Sequence, residues 1–136
     1  MAEVKRIQAL SLPQKVRLAE DGELLQRTLL FRMYGKLVFD GLLRNPRLTE
    51  MEVAKLAKLG TLSVPLLQII ARKTEWLRTE RIRNALLGNP RTPQAILQKI
   101  VSMISRQDLR LLIQRRDFSP MAQAALREQN AKFLKG

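Results

Sequence analysis

A six-residue phrase that recurs with one change constrains this chain more than anything else in it. Leu42-Leu43-Arg44-Asn45-Pro46-Arg47 returns as Leu86-Leu87-Gly88-Asn89-Pro90-Arg91, an offset of 44 residues. The offset then becomes 43, pairing Thr49 with Thr92 and Ile69-Ile70-Ala71-Arg72-Lys73 with Leu112-Ile113-Gln114-Arg115-Arg116. Trp76 falls near Phe118, and Thr79 near Ser119-Pro120. Self-similarity with a period of roughly 40 to 47 residues belongs to arrays of helices, in which each repeat has an apolar face it cannot bury alone. The 136 residues are therefore expected to form a single helical-repeat domain. Its expected parts are a capping region over 1–34, a first repeat over 35–88, and a second repeat with a closing helix over 89–136.

Apolar residues recur at helical spacing between cap and breaker signals. Ser11-Leu12-Pro13-Gln14 offers a cap, a first-turn proline and a glutamine at the third helical position. That helix runs to about Glu20 and is broken by Asp21-Gly22. Further segments cover 23–32 and 36–43, the second closed by an Asn-Pro in which proline biases Asn45 away from helix. Thr49-Glu50-Met51-Glu52 is a capping box. Ser63-Val64-Pro65, Thr79, Thr92-Pro93, Ser105 and Ser119-Pro120 open the later helices. The pattern predicts an all-α fold of about nine or ten short helices, paired and stacked as an α-solenoid.

Asn-Pro-Arg followed by Thr, repeated between Leu-rich helices over 42–127, resembles the turns of bacterial HEAT-like helical repeats. It is also similar to the Asn-Pro-x-Thr-Pro turns of the leucine-rich repeat variant. The resemblance implies a curved helical scaffold used for binding, and it supplies no catalytic residues. The repeats here are longer than those of the variant and no cysteine cluster accompanies them. The iron–sulfur association of some of its relatives is therefore not implied. HEAT-like DNA glycosylases use an Asp and aromatic residues in a cleft. Asp117 beside Phe118 and Asp40 beside Phe39 are the nearest approach, and neither has a cluster around it in the sequence.

Composition removes several chemistries. With no Cys and no His there is no disulfide framework, no cysteine nucleophile, no ordinary zinc site and no Ser-His-Asp relay. The six glycines form no phosphate-binding fingerprint. The expectation is a non-enzymatic protein without cofactor or metal. No stretch reaches the about 18 to 20 apolar residues that span a bilayer. Residues 1–12 lack the apolar run of a secretory signal, so a cytoplasmic location is expected.

The charge is lopsided: 25 Lys and Arg against 12 Asp and Glu, a net +13. Such an excess fits nucleic acid, an anionic membrane surface or an acidic protein as partner. Arg44, Arg47 and Arg91 flank the two Asn-Pro turns, and Arg72-Lys73 and Arg115-Arg116 close equivalent helices. In a stack these seven would line one edge, where guanidinium groups suit a phosphate backbone. The same cations also suit a helix's last turn, through its dipole. Trp76 is a candidate partner anchor or a staple between helices. Asn45 and Asn89 are expected to bond local backbone in their turns. Two functions follow: phosphate-backbone binding of nucleic acid along the arginine edge, or an adaptor for an acidic protein partner or for a second copy.

Overall fold

In a computed structural model that describes residues 2–135, all regular structure among the described residues is helical. The chain divides into two compact units, Met1–Glu52 and Val53–Gly136. The first holds α1 (Ala2–Gln8), α2 (Leu12–Asp21), α3 (Leu24–Tyr34), a 3-10 turn over Gly35–Leu37 and α4 (Phe39–Arg44). α5 (Glu50–Ala57) begins in the first unit and ends in the second. The second continues with α6 (Val64–Arg72), α7 (Thr74–Leu77), α8 (Glu80–Gly88), α9 (Gln94–Ser102), α10 (Arg106–Leu112) and α11 (Pro120–Lys135).

Eleven α-helices among the described residues exceed the nine or ten that the breakers announce. The additions are α1 and α7. Neither is preceded by a Ser, Thr, Asp or Asn cap, and α7 has only four residues, so periodicity has nothing to act on. Elsewhere the cap signals act locally. Ser11 accepts from the Gln14 N–H while Gln14 Oε1 accepts from the Ser11 N–H at 2.8 Å. Thr49 and Glu52 form the same reciprocal pair ahead of α5. Ser105 caps α10 through the Asp108 N–H. Three expected starts differ. Ser63 stands at the cap of α6 without a side-chain cap bond. Thr79 stands at the cap of α8 but donates its hydroxyl to the Glu75 carbonyl. Thr92 is buried and donates to the Leu86 carbonyl at 2.7 Å, leaving Pro93 as the residue that opens α9.

The repeated phrase builds the same bracket in each unit. Asn45 and Asn89 both leave the helix with extended backbone, φ −73° and ψ 121° against φ −85° and ψ 118°, as a following proline requires. Each Oδ1 accepts from the N–H two residues on, at 2.8 and 2.9 Å. That is the local turn bond the sequence predicts. Each amide then reaches across the unit. Asn45 Nδ2 donates to the carbonyls of Ala19 and Gly22, at the end of α2. Asn89 Nδ2 donates to those of Ala57 and Leu59, at the end of α5. Both side chains are buried, at 3% and 0% exposure. Terminal helix carbonyls have no partner in their own helix, so each amide supplies what the helix end lacks.

In the first unit α2 and α4 pack so closely that a Cβ at Gly41 would lie 2.8 Å from the Val16 carbonyl oxygen. Gly35, at φ 51°, turns the chain out of α3 in the left-handed region. Phe31 and Phe39 meet at 5.8 Å between ring centroids. In the second unit α9 packs on α11 and α10 on α11, around buried Leu97, Ile100, Leu109, Ala122 and Leu126. The Ser119 N–H, donating to the Leu87 carbonyl at 3.0 Å, ties the start of α11 to the end of α8.

Replacing Asn89 with Ala leaves the buried Ala57 carbonyl without the amide donor, while the Leu59 carbonyl keeps the Leu62 N–H at 3.1 Å; one such loss costs about 1–3 kcal/mol. Asn89→Ala should therefore lower the urea midpoint by an amount equivalent to about 1–3 kcal/mol. Asn45→Asp should be the most damaging change at its position, because a carboxylate would face two carbonyls without a proton to donate. Urea unfolding followed by circular dichroism measures both.

Candidate nucleic-acid interface

The seven cations expected to form one edge do not share one environment. Arg44 and Arg47 belong to the first unit, and the other five to the second. Arg44 lies between two carboxylates, with Nη1 at 2.6 Å from Asp40 and Nη2 at 2.8 Å from Glu20. The Glu20 hydrogen bond is the largest influence holding its pKa above the ordinary arginine value. Arg47 faces Glu23 at 3.8 Å. Arg115 holds Asp117 through both Nε and Nη2, the first at 2.8 Å. That bond is the main reason the Asp117 carboxyl titrates below its ordinary range. The carboxylates of Asp40 and Asp117 are thus already engaged by guanidinium groups.

Arg72, Arg91 and Arg116 are exposed, and their side chains have no ion-pair or hydrogen-bond partner among the described residues. Arg72 is the last residue of α6 and Lys73 its cap, so the dipole argument applies to them. It does not apply to Arg115 and Arg116. α10 ends at Leu112, and three successive turn bonds carry the chain beyond it to Arg115, whose N–H donates to the Leu112 carbonyl. The sequence pairs these four cations as helix ends. The structure puts two of them in a helix terminus and two in the loop that follows one.

Cations also cover aromatic rings. Lys73 Nζ sits 4.2 Å from the centroid of Trp76, and Arg115 Cζ 4.5 Å from that of Phe118. The matched aromatics differ in burial: Phe118 is a core residue, whereas Trp76 stays partly exposed. In the first unit Lys15 covers Tyr34 at 4.5 Å.

Net charge separates the units. Val53–Gly136 carries 16 basic and 5 acidic residues, a net +11, while Met1–Glu52 carries 9 and 7, a net +2. The cleft between α8 and α10, about 220 Å³, is lined by Arg83 and Arg115 but also by Glu80 and Asp108. Two charges of each sign cancel there, so the cleft is not where the positive excess lies. No group of three metal-ligating side chains occurs among the described residues. None of the helices is long and apolar enough to cross a membrane, among the same residues.

Sequence reasoning passes over Arg27, which is 4% exposed and the most heavily bonded side chain of the first unit. Its Nε and Nη2 grip Glu52 at 2.9 and 3.1 Å, Nη1 donates to the Gly22 carbonyl, and Nη2 also reaches the Arg47 carbonyl at 3.4 Å. It thereby joins the end of α2, the Asn45 turn and the start of α5. Its partner is 25 residues away and it stands among the apolar residues of α3, so no local pattern reveals it.

No family model, curated protein or solved structure matches the chain.

Partial burial pushes the Glu52 carboxyl upward, but the bonds from Arg27 and Thr49 outweigh it, and the group titrates below the ordinary glutamate value of 4.5. The folded state thus binds fewer protons than the unfolded one between the depressed and the ordinary pKa. The contribution is complete above the ordinary value and is lost as pH falls through the depressed one. Glu52→Gln should therefore cost stability at neutral pH, and the difference from the unaltered chain should shrink below the ordinary carboxylate range. Urea midpoints of both proteins across an acid pH series measure this.

Proposed function

We propose that this chain is a non-enzymatic helical-repeat binding module whose second unit holds nucleic acid through its phosphates. The observation that carries the reading is the separation of charge within the chain. In the first unit Arg27, Arg44 and Arg47 all face carboxylates. The second keeps a net +11, with Arg72, Arg91 and Arg116 exposed and unpaired among the described residues. A cation already neutralised by a neighbour releases fewer counterions on meeting a phosphate, and counterion release drives backbone binding. The primary contacts proposed are Arg72, Lys73, Arg91 and Arg116. Arg44, Arg47 and Arg115 would first have to give up ion pairs, each worth at most about 1 kcal/mol at an exposed surface. Arg83 directs Nη1 to the carbonyls of Leu77 and Arg78, a structural role.

The finer architecture we propose is a HEAT-like stack of helix pairs, with capping residues over 1–34 and repeats over 35–88 and 89–136. Its support is the bracket made identically by Asn45 and Asn89, a feature expected of repeated units. A second reading is an adaptor for an acidic protein or a second copy. It is favoured by Leu24 and Leu25, adjacent at the start of α3 and 57% and 61% exposed. Neighbouring exposed leucines are a feature of interaction surfaces.

Fluorescence anisotropy with labelled oligonucleotides at several salt concentrations decides between them. The expected result is a dissociation constant in the micromolar range at low salt, weakening linearly on log–log axes. The triple change Arg72→Glu, Arg91→Glu, Arg116→Glu should weaken binding at least about tenfold, whereas Arg44→Glu with Arg47→Glu should change it little. Absence of binding at low salt sinks the nucleic-acid reading and leaves the adaptor.

A further inference from the structure

We propose that the corner over residues 72–83 takes single-stranded nucleic acid, with Trp76 as the stacking platform for one base and Arg72, Lys73 and Arg78 holding the flanking phosphates. This deepens the phosphate-binding reading above and rests on it.

Trp76 is held in place by its surroundings. It lies in α7, whose next residue, Leu77, is fully buried. The Trp76 N–H donates to the Lys73 carbonyl at 3.0 Å, and the Thr79 N–H to the Trp76 carbonyl at 3.1 Å. Arg83 Nη1 braces the exit of the turn through the carbonyls of Leu77 and Arg78, both at 3.2 Å. An aromatic side chain on a braced turn presents a large face with little freedom left to lose on binding. Phe118 is buried at the matching place in the repeat, whereas Trp76 is half-buried and leaves part of its ring to solvent.

The surroundings suit a polyanion. Arg72, Lys73, Arg78 and Arg81 are all exposed, and Glu75 and Glu80 leave the 72–83 corner with a net +3. Lys73 Nζ lies 4.2 Å from the indole centroid. At an exposed site a cation–π pair is weaker than the stacking of a nucleobase on an aromatic ring. A base can therefore take the ring face from the ammonium, and the ammonium, displaced by a few ångströms, remains beside the same nucleotide's phosphate. A duplex keeps its base faces stacked on one another and offers none to the indole, so the platform selects single strands.

Trp76 is the only Trp in the chain, so tryptophan fluorescence reports on this ring alone. The full chain is titrated with oligo-dT and oligo-U of about a dozen nucleotides and with a blunt duplex, while anisotropy of labelled strands gives affinity. Single strands should quench Trp76 with the same midpoint that anisotropy reports, and duplex should leave its emission nearly unchanged. Trp76→Ala should weaken single-strand binding about tenfold without altering the salt slope, since stacking releases no counterions. Trp76→Tyr should retain most of the affinity, and it keeps a ring if the alanine variant fails to fold. Arg72→Ala with Lys73→Ala should reduce the salt slope by about 1.4. Single-strand binding with Trp76 unquenched, or a folded Trp76→Ala that binds like the unaltered chain, overturns the stacking site and leaves the phosphate reading standing. Absence of binding to any oligonucleotide at low salt overturns both.

Discussion

Two buried asparagine amides do what the ends of these short helices cannot do for themselves. A helix of eight or ten residues leaves its last carbonyls unpaired, and the shorter the helix, the larger the share of its backbone this concerns. Asn45 and Asn89 each place one donor on such a carbonyl, Ala19 or Ala57, a second on a carbonyl just beyond the helix, Gly22 or Leu59, and one acceptor on their own turn. Every bond-forming atom of the amide is thereby engaged, and a buried polar side chain with all its partners specifies one arrangement. The proline behind each asparagine sets the backbone that aims the amide across the unit. Register within each unit follows: once Asn45 reaches Ala19 and Gly22, α4 can meet α2 in only one alignment, the one that requires glycine at position 41.

Arginine has two uses in this chain, set by where the acidic residues fall. In the first unit carboxylates on different helices converge on guanidinium groups, and Arg27 is drawn into the interior. A buried cation left alone is costly, and here the bidentate Glu52 and two backbone carbonyls surround it. The ion pairs of Arg44 with Glu20 and of Arg27 with Glu52 join residues 24 and 25 positions apart, so they hold tertiary structure. In the second unit 16 cations meet 5 acids, so most of them have no carboxylate of their own unit to pair with.

Much of the local architecture is legible in the sequence because its causes are local. The boxes at Ser11 and Thr49 and the cap at Ser105 act within three residues, and each appears where its letters predict. The turn bond of each Asn-Pro is legible for the same reason. What the letters do not carry is the far end of an interaction. Asn45 and Asn89 read as turn residues, and nothing near them names Ala19 or Ala57. Thr49 and Thr92 occupy matching places in the repeat yet do different work. Thr49 has Glu52 three residues on to complete a box, whereas the residue three after Thr92 is Ala95, whose side chain has no acceptor, and the Thr92 hydroxyl turns back to Leu86. Arg27 looks like any other helical arginine until α5 brings Glu52 to it. Of the seven candidate cations, sequence assigns the residue types and the structure assigns their neighbours: Arg44 and Arg115 sit in ion pairs, and Arg72, Arg91 and Arg116 stand apart.

That division bears on how a repeated chain can vary its use without varying its frame. The bracket needs Asn, Pro and helix-end carbonyls, and it makes no use of the Arg47 or Arg91 side chains, since only their backbone N–H groups take part. The guanidinium that follows each bracket is therefore free to respond to its neighbours. Beside Arg47 stands Glu23, and the charge is partly met; Arg91 has no counterpart among the described residues, and its charge is left to solvent or to a ligand. One motif thus serves stability in both units, while the acidic residues around it decide which unit keeps positive charge on its surface. Trp76 extends the same logic. The turn it occupies is held by Leu77 and Arg83, and the half-buried ring carries Lys73 on its face with exposed Arg72 and Arg78 nearby in the chain, the setting on which the proposed stacking site rests.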